Sequence, residues 1–310
     1  MKNFINLKDI PTSDLRKILD DAKKRKNKRK KLNTLDFDKD KPLKGKLIIQ
    51  MYEKQSSRTR LSFHLSITQL GGESITIKSN ELHLGKGEES LTDTAKILST
   101  YGDAFMLRTD SDKKIENFSK SLNIPIINLL SPSSHPCQVL SDIFTVEEIK
   151  KKHISKLNIC WIGDTNNVLN SLIATSVKFK FNLNVGCPNS YRPPKFVMDW
   201  VKKNNRKINF FDDPIKAVKN ADVIFSDKVI SLNDKINKVK KIKDFKNYRI
   251  NSSLIKKTNK NSTVFLHCLP RGNEVSESVF LGKQSKVWQQ ALNRVHVQKS
   301  ILLYCFGKLR

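Results

Sequence analysis

Residues 47–72 read LIIQMYEKQSSRTRLSFHLSITQLGG. Leu47-Ile48-Ile49-Gln50-Met51 is a nearly continuous apolar run, as in a strand buried on both faces of a parallel sheet. Leu61–Leu70 places Phe63, Ile67 and Leu70 on one helical face, and Gly71-Gly72 stops that helix. Between strand and helix lies Glu53-Lys54-Gln55-Ser56-Ser57-Arg58-Thr59-Arg60, which opens the helix with hydroxyl and guanidinium groups.

The same strand–helix unit recurs along the chain. Upstream, Thr12-Ser13-Asp14 caps a helix in which Leu15, Ile18, Leu19 and Ala22 repeat at helical spacing. Downstream, strands are expected at Ser74–Ile77, Ala104–Leu107 and Ile124–Ile127, with helices at Ser90–Tyr101, Ser111–Leu122 and Val139–Lys152. The rhythm restarts with a strand at Leu157–Ile162 and a helix at Val168–Phe179. Further strands are expected at Leu183–Val185, Ile208–Phe210, Val223–Phe225 and Val264–Leu266. The last helix, Trp288–Phe306, has no strand after it. Such alternation predicts an α/β protein with two doubly wound parallel-sheet domains. The divisions expected are 1–150, 151–288 and a C-terminal helix, 289–310, packing back on the first domain.

Length and composition agree with this. A chain of 310 residues, 38% hydrophobic and 28% charged, is globular in composition and long enough for two domains. No stretch approaches the ~18 apolar residues of a membrane span. Met1–Ile10 mixes Lys, Asn and Asp with its apolar residues and does not read as a secretory signal. The five cysteines (137, 160, 187, 268 and 305) are odd in number and lack Cys-x-x-Cys pairs, so neither a disulfide framework nor a zinc site is indicated. A reduced, cytoplasmic setting is expected. The formal charge of +28 has three readings: nucleic-acid binding, capture of anionic substrates, or the Lys- and Asn-rich usage of an A/T-biased genome. The run Lys23–Lys31 contains no aromatic residue to stack on bases. It reads more naturally as a solvated helix end, where cations suit the dipole.

Ligands of open α/β sheets bind beyond the carboxyl ends of the strands, so the residues that follow each strand are the candidates. In the first half these are cationic. Ser56, Ser57, Arg58 and Thr59 stand at a helix start, where free N–H groups favour an anion, although helix capping explains the hydroxyls equally well. Arg108 ends the third strand, and His135-Pro136-Cys137-Gln138 follows the fourth with further donors. In the second half the strand ends are polar and acidic: Gly163-Asp164-Thr165-Asn166-Asn167, Ser226-Asp227 with Ser231-Leu232-Asn233, and His267-Cys268-Leu269-Pro270. One half suits a phosphate and the other an amine. That pairing points to transfer from a phosphorylated donor to an amino nucleophile. Neither a Walker A motif nor Gly-x-Gly-x-x-Gly is present, so ATP and NAD are not indicated. Neither a metal nor an organic cofactor is called for.

These motifs resemble the transcarbamylase family. Ser56-Ser57-Arg58-Thr59-Arg60 is similar to its Ser-Thr-Arg-Thr-Arg carbamoyl-phosphate loop, and His135-Pro136-Cys137-Gln138 to its His-Pro-x-Gln signature. His267-Cys268-Leu269-Pro270 resembles the His-Cys-Leu-Pro motif of ornithine-type members, and Asn293-Arg294 a terminal Asn-Arg. The resemblance runs from the first helix to the last. It implies that Ser56, Ser57, Arg58, Thr59 and Arg108 hold the phosphate of carbamoyl phosphate. His135, Gln138, Arg294 and the Cys268-Leu269 backbone would polarise the carbamoyl group. Asn167, Asp227, Ser231 and Leu232 would bind ornithine, with Cys268 and Asp227 near its δ-amine. Of these, Arg108, His135, Gln138, Cys268 and Arg294 are the implied catalytic set. The resemblance also implies citrulline formation in arginine biosynthesis, a homotrimer with His83-Leu84-Gly85-Lys86 reaching a neighbouring subunit, and a cis Leu269–Pro270 bond. Leu232-Asn233 departs from the family's Met-Gly and Ser57 from its Thr. Relatives acting on acetylornithine, succinylornithine or putrescine are the alternatives of the same chemistry; a basic nucleic-acid-binding protein is the alternative outside it.

Overall fold

The computed structural model describes residues 1–78, 89–230 and 237–309. They divide into two compact units, Met1–Phe144 with Leu292–Arg310, and Thr145–Ala291. The divisions fall inside two helices and not in the loops beside them.

In the first unit β1 (Leu47–Tyr52), β2 (Glu73–Lys78), β3 (Ala104–Arg108) and β4 (Ile126–Leu130) form a parallel sheet in the order β2-β1-β3-β4. Ile49 stands opposite Ile75 on one side and Phe105 on the other. As its apolar run requires, β1 is buried on both faces, whereas the edge strand β2 is largely exposed. The connecting helices are α2 (Ser57–Gln69), α3 (Leu91–Tyr101) and α4 (Asp112–Ser121), preceded by α1 (Thr12–Lys28). β4 begins at Ile126 and not at Ile124, because Pro125 has no N–H to place in a ladder. Its carbonyl accepts from Phe105 N at 2.9 Å, and Asn3 Oδ1 receives the Ile126 N–H at 3.0 Å. α5 (Pro136–Lys150) begins three residues earlier than its apolar pattern suggests, since Pro suits the first helical position.

The second unit carries β5 (Asn158–Ile162), β6 (Asn182–Gly186), β7 (Asn209–Phe211), β8 (Val223–Ser226) and β9 (Val264–His267), all parallel, in the order β7-β6-β5-β8-β9. Helices α6 (Asn167–Phe179), α7 (Lys195–Lys203), α8 (Pro214–Val218), α9 (Lys238–Asp244), α10 (Ser252–Lys256) and α11 (Glu277–Phe280) lie between and after the strands. α12 (Val287–Cys305) returns the chain, with Leu292 onward belonging to the first unit. No helix among the described residues is long and apolar enough to cross a membrane.

The basic run at the end of α1 is more than a solvated tail. Arg25 binds Asp21 at 3.1 Å, Asp38 at 3.1 Å and Asp40 at 2.8 Å, and Arg29 binds Asp38 at 2.9 Å. Lys26 donates to Asn293 Oδ1 at 2.7 Å. From α12, the fully buried Lys299 closes the network on Asp38 at 2.9 Å. Burial alone would push the Asp38 carboxyl up, but Lys299, Arg29 and Arg25 hold it below its ordinary 3.8. The sign follows directly. The stabilisation is fully present above pH 3.8 and is lost as pH falls below it through the depressed native value. Asp38→Ala leaves the buried Arg29 and Lys299 without their shared anion, while Arg25 keeps Asp21 and Asp40. It is expected to destabilise the fold by about 3–5 kcal/mol in urea denaturation at neutral pH, with the difference from wild type shrinking in acid.

Candidate active site

A doubly wound sheet has a switch point, where successive connections leave in opposite directions and a crevice opens beyond the carboxyl ends. In the first unit this lies between β1 and β3, and in the second between β5 and β8. The sequence-derived candidates that follow these strands meet there.

In the first unit, Ser56 precedes α2, and Ser57, Arg58 and Thr59 form its first turn, with Ser57 and Arg58 exposed and Thr59 buried. The Ser56 side chain makes no capping bond to the helix. Its Oγ instead accepts from Arg108 Nη1 at 3.2 Å. The buried Arg108 Nε–H has no partner among the described residues. Burial lowers the Arg108 pKa, and Arg58 nearby adds to this. Two guanidinium groups and a set of helix-start N–H groups are thus gathered where a dianion would relieve their mutual repulsion.

Arg294 comes from α12 and donates to Thr59 Oγ1 at 2.7 Å. The two helices are further joined by Ser66 Oγ, which donates to the Val295 carbonyl at 3.0 Å. His135 is buried just before α5, and its pKa lies well below the usual value, through burial first and then the positive charges of Arg294, Arg108 and Arg58. It is therefore a neutral imidazole at pH 7, suited to donate one hydrogen bond without carrying charge. Gln138, one turn on, is buried and gives one amide N–H to Asp142 Oδ1 at 2.8 Å. That bond fixes the orientation of the side chain while the amide retains a second N–H. Cys137 in the same motif is buried, which pushes its thiol up to about 12.

In the second unit, Asn166 caps α6. Its Oδ1 accepts from Val168 N at 3.0 Å and Leu169 N at 3.1 Å, while its Nδ2 donates to Asp227 Oδ2 at 2.8 Å. A single side chain thus ties the β5 end to the β8 end. Asn167 begins the helix beside it. Burial raises the Asp227 pKa, against the opposing pull of His267 and the hydrogen bond from Asn166. Ser231 and Leu232, expected beside Asp227, lie outside the described residues, as does 83–86.

The β9 end is built on His267. Its Nδ1 accepts from Leu269 N at 2.9 Å, so Nε2 carries the proton and donates to Glu274 Oε1 at 3.0 Å. Glu274 also accepts from Gly272 N at 2.6 Å and is held below its ordinary value: burial opposes this, but the His267 and Gly272 donors outweigh it. These bonds shape the turn in which Cys268 is buried and Leu269 has φ +60°. The Leu269–Pro270 bond is cis, as expected. Asn166 and His267 stood in the strand-end motifs without an assigned role, and Glu274 was not among the sequence-derived candidates. An Asx cap signal at two adjacent Asn residues, and a buried His needing a partner, were the only signs of them. Among the described residues no group of three or more His, Cys, Asp or Glu side chains is placed to hold a metal ion.

Both units are therefore parallel α/β sheets with a polar site at the switch point, cationic in one and acidic in the other, the class of a two-domain α/β enzyme. The family model for the aspartate/ornithine carbamoyltransferase carbamoyl-P binding domain matches residues 2–148, and that for the Asp/Orn binding domain matches residues 155–305. The chain belongs to the aspartate/ornithine carbamoyltransferase family. It is 38% identical over 308 residues to the ornithine carbamoyltransferase of Agrobacterium fabrum, covering 99% of this chain and 98% of that one. It is 39% identical to that of Rhodopseudomonas palustris, covering 99% and 97%. Among solved structures, the ornithine carbamoyltransferase of Pyrococcus furiosus superposes with a TM-score of 0.91 at 34% identity, over 100% of this chain and 98% of that one. The anabolic ornithine carbamoyltransferase of Campylobacter jejuni gives 0.89 at 31%, over 99% and 100%.

Proposed function

We propose that this chain transfers the carbamoyl group of carbamoyl phosphate to the δ-amine of L-ornithine, giving L-citrulline and phosphate. The observation that carries the proposal is the difference in charge between the two switch-point sites: cationic in one unit, with Arg108 on Ser56, and acidic in the other, with Asn166 on Asp227. The names of the relatives supply the donor and acceptor.

The phosphate is assigned to Ser56, Ser57, Arg58, Thr59 and Arg108. The carbamoyl group is assigned to His135, Gln138, Arg294 and the Cys268-Leu269 backbone, and ornithine to Asn167, Asp227, Ser231 and Leu232. A primary alkyl amine has a pKa of ~10.4, and only its neutral form attacks. The nitrogen lone pair forms the new C–N bond at the carbamoyl carbon, and charge builds on the carbamoyl oxygen. Neutral His135 and the Arg294 guanidinium are the donors for that charge, a contribution of ~10²–10³ in rate per donor. The intermediate collapses as the C–O bond to phosphate breaks. Phosphate leaves with the bonding pair, held by Arg58 and Arg108, and takes up the surplus proton that the nitrogen releases. The amine attacks the donor directly, so Cys268 is assigned to positioning and not to an acyl-enzyme.

The same reading takes residues 1–150 as the carbamoyl-phosphate domain, 151–288 as the ornithine domain and 289–310 as the returning helix. The descriptions of the two family models support this. It includes a cytoplasmic homotrimer acting in arginine biosynthesis, a direction that the anabolic Campylobacter jejuni relative supports. The test is kcat/KM for ornithine, acetylornithine, succinylornithine, putrescine and lysine at saturating carbamoyl phosphate. Ornithine is expected to lead. Putrescine leaves the partners of the α-groups unpaired and falls by ~10⁴, while lysine, one methylene too long, falls by ~10–200-fold. Any rival that exceeds ornithine would assign a different amino substrate.

A further inference from the structure

At the edge of the second sheet away from Asp227 and Cys268, by the amino ends of β5, β8 and β9, a pocket of about 560 Å³ opens. It lies a strand's length, roughly 15 Å, from the carboxyl ends. Two separate stretches of chain bring lysines to it, Lys150 and Lys152 at the end of α5 and Lys283 and Lys286 ahead of α12, and the turn Asn261-Ser262-Thr263 before β9 completes the wall between them. The one carboxylate in its wall, Asp222, is already engaged. It holds a fifth lysine, Lys260, at 2.6 Å and accepts from Asn158 N at 2.8 Å.

None of Lys152, Lys283 and Lys286 has a carboxylate partner among the described residues. Lys150 donates to the Ser262 carbonyl, a neutral acceptor. Its pKa is lowered by burial, and Lys260 and Lys152 lower it further against the opposing pull of Asp222. Solvated lysines scattered over a basic chain point away from one another. Here they converge on one concavity, whose volume is in the range of small-ligand sites, with the Ser262 hydroxyl and Asn261 amide as added donors.

We propose that this pocket binds a small oligophosphate, a di- or triphosphate group bearing three or more negative charges. Lysines bind phosphate as mobile point charges. Several of them around a concavity match a chain of phosphates better than a single carboxylate. The site is distinct from the carbamoyl-phosphate site, and the proposal does not depend on the transfer reaction.

Titration calorimetry with pyrophosphate and tripolyphosphate, in the presence of saturating carbamoyl phosphate, tests it. One site per chain is expected, tighter for tripolyphosphate and weakening as salt is raised. The double variant Lys283→Gln/Lys286→Gln removes two charges that hold no protein partner, so the fold is retained. It is expected to bind tripolyphosphate roughly tenfold more weakly and to form citrulline as wild type does. Arg58→Gly should keep the oligophosphate site. ATP as a further ligand separates the sources: affinity equal to tripolyphosphate assigns the phosphates alone, and tighter binding assigns a nucleoside triphosphate. Absence of binding, wild-type binding by the double variant, or loss of binding in Arg58→Gly overturns the proposal. So does a single-stranded oligonucleotide that outcompetes tripolyphosphate and loses affinity in the double variant, which would make the pocket part of a nucleic-acid surface.

Discussion

Arg108→Met is expected to lower kcat/KM for carbamoyl phosphate by ~10²–10³ or more, with the fold intact. Arg108 reaches Ser56 Oγ from the end of β3, and its buried Nε–H has no protein partner among the described residues. A cation already desolvated and crowded by Arg58 gains most when a dianion arrives, and more still as the departing phosphate takes up charge. Met keeps the volume of the stem and removes the fork. Arg108→Lys restores charge but not bidentate geometry, so partial recovery is expected. Thermal denaturation should change little, because the side chain is only half-buried and it donates to the Ser56 hydroxyl, itself half-buried. Steady-state kinetics in carbamoyl phosphate decide the matter; near-wild-type kcat/KM would remove Arg108 from the phosphate site.

Asp227→Asn should lower kcat/KM for ornithine by ~10³ while carbamoyl phosphate still binds. The substitution keeps shape, and Asn166 Nδ2 can donate to the new amide oxygen as it does to Asp227 Oδ2 at 2.8 Å. What is lost is the negative charge facing an ammonium group, in surroundings dry enough to raise the Asp227 pKa and so to strengthen any ion pair formed there. The raised pKa also means that wild-type affinity for ornithine declines on acidification at a pH above the ordinary aspartate value of 3.8. The variant should lack that component. Calorimetric titration of carbamoyl phosphate, with ornithine kinetics on the same preparation, separates this from general damage. Equal loss of both substrates would contradict the assignment of Asp227 to the amine.

The sheet architecture was legible because strand periodicity and helix periodicity alternate cleanly in both halves. Leu47–Met51 and Val264–Leu266 read as buried strands and are strands. Element ends were less legible where a distant residue decides them. β4 starts late because Pro125 lacks a donor and because the N-terminal residues lie along its edge, with Phe4 N on Ile126 O at 2.9 Å. No local pattern carries that contact. The strand-end rule collected Ser56, Arg108, Asn167 and Asp227 correctly as neighbours of switch points, since it depends only on strand order. It gave Asn166 no role, because only the fold brings its Nδ2 to Asp227. Nor could it see that Arg25, Lys26 and Arg29 turn inward: their partners Asp38, Asp40 and Asn293 include one 267 residues away. His267 was quoted as part of a motif, but its role of holding the Cys268-Leu269 turn emerges only with Glu274 beside it.

The most direct test of the central claim is the formation of citrulline by the purified protein from carbamoyl phosphate labelled with ¹⁴C at the carbonyl. Label is expected to appear in citrulline in equal amount with phosphate released, only when ornithine is present, and with no label retained on the protein. Phosphate release without labelled citrulline, or no turnover at saturating concentrations of both substrates, would contradict it.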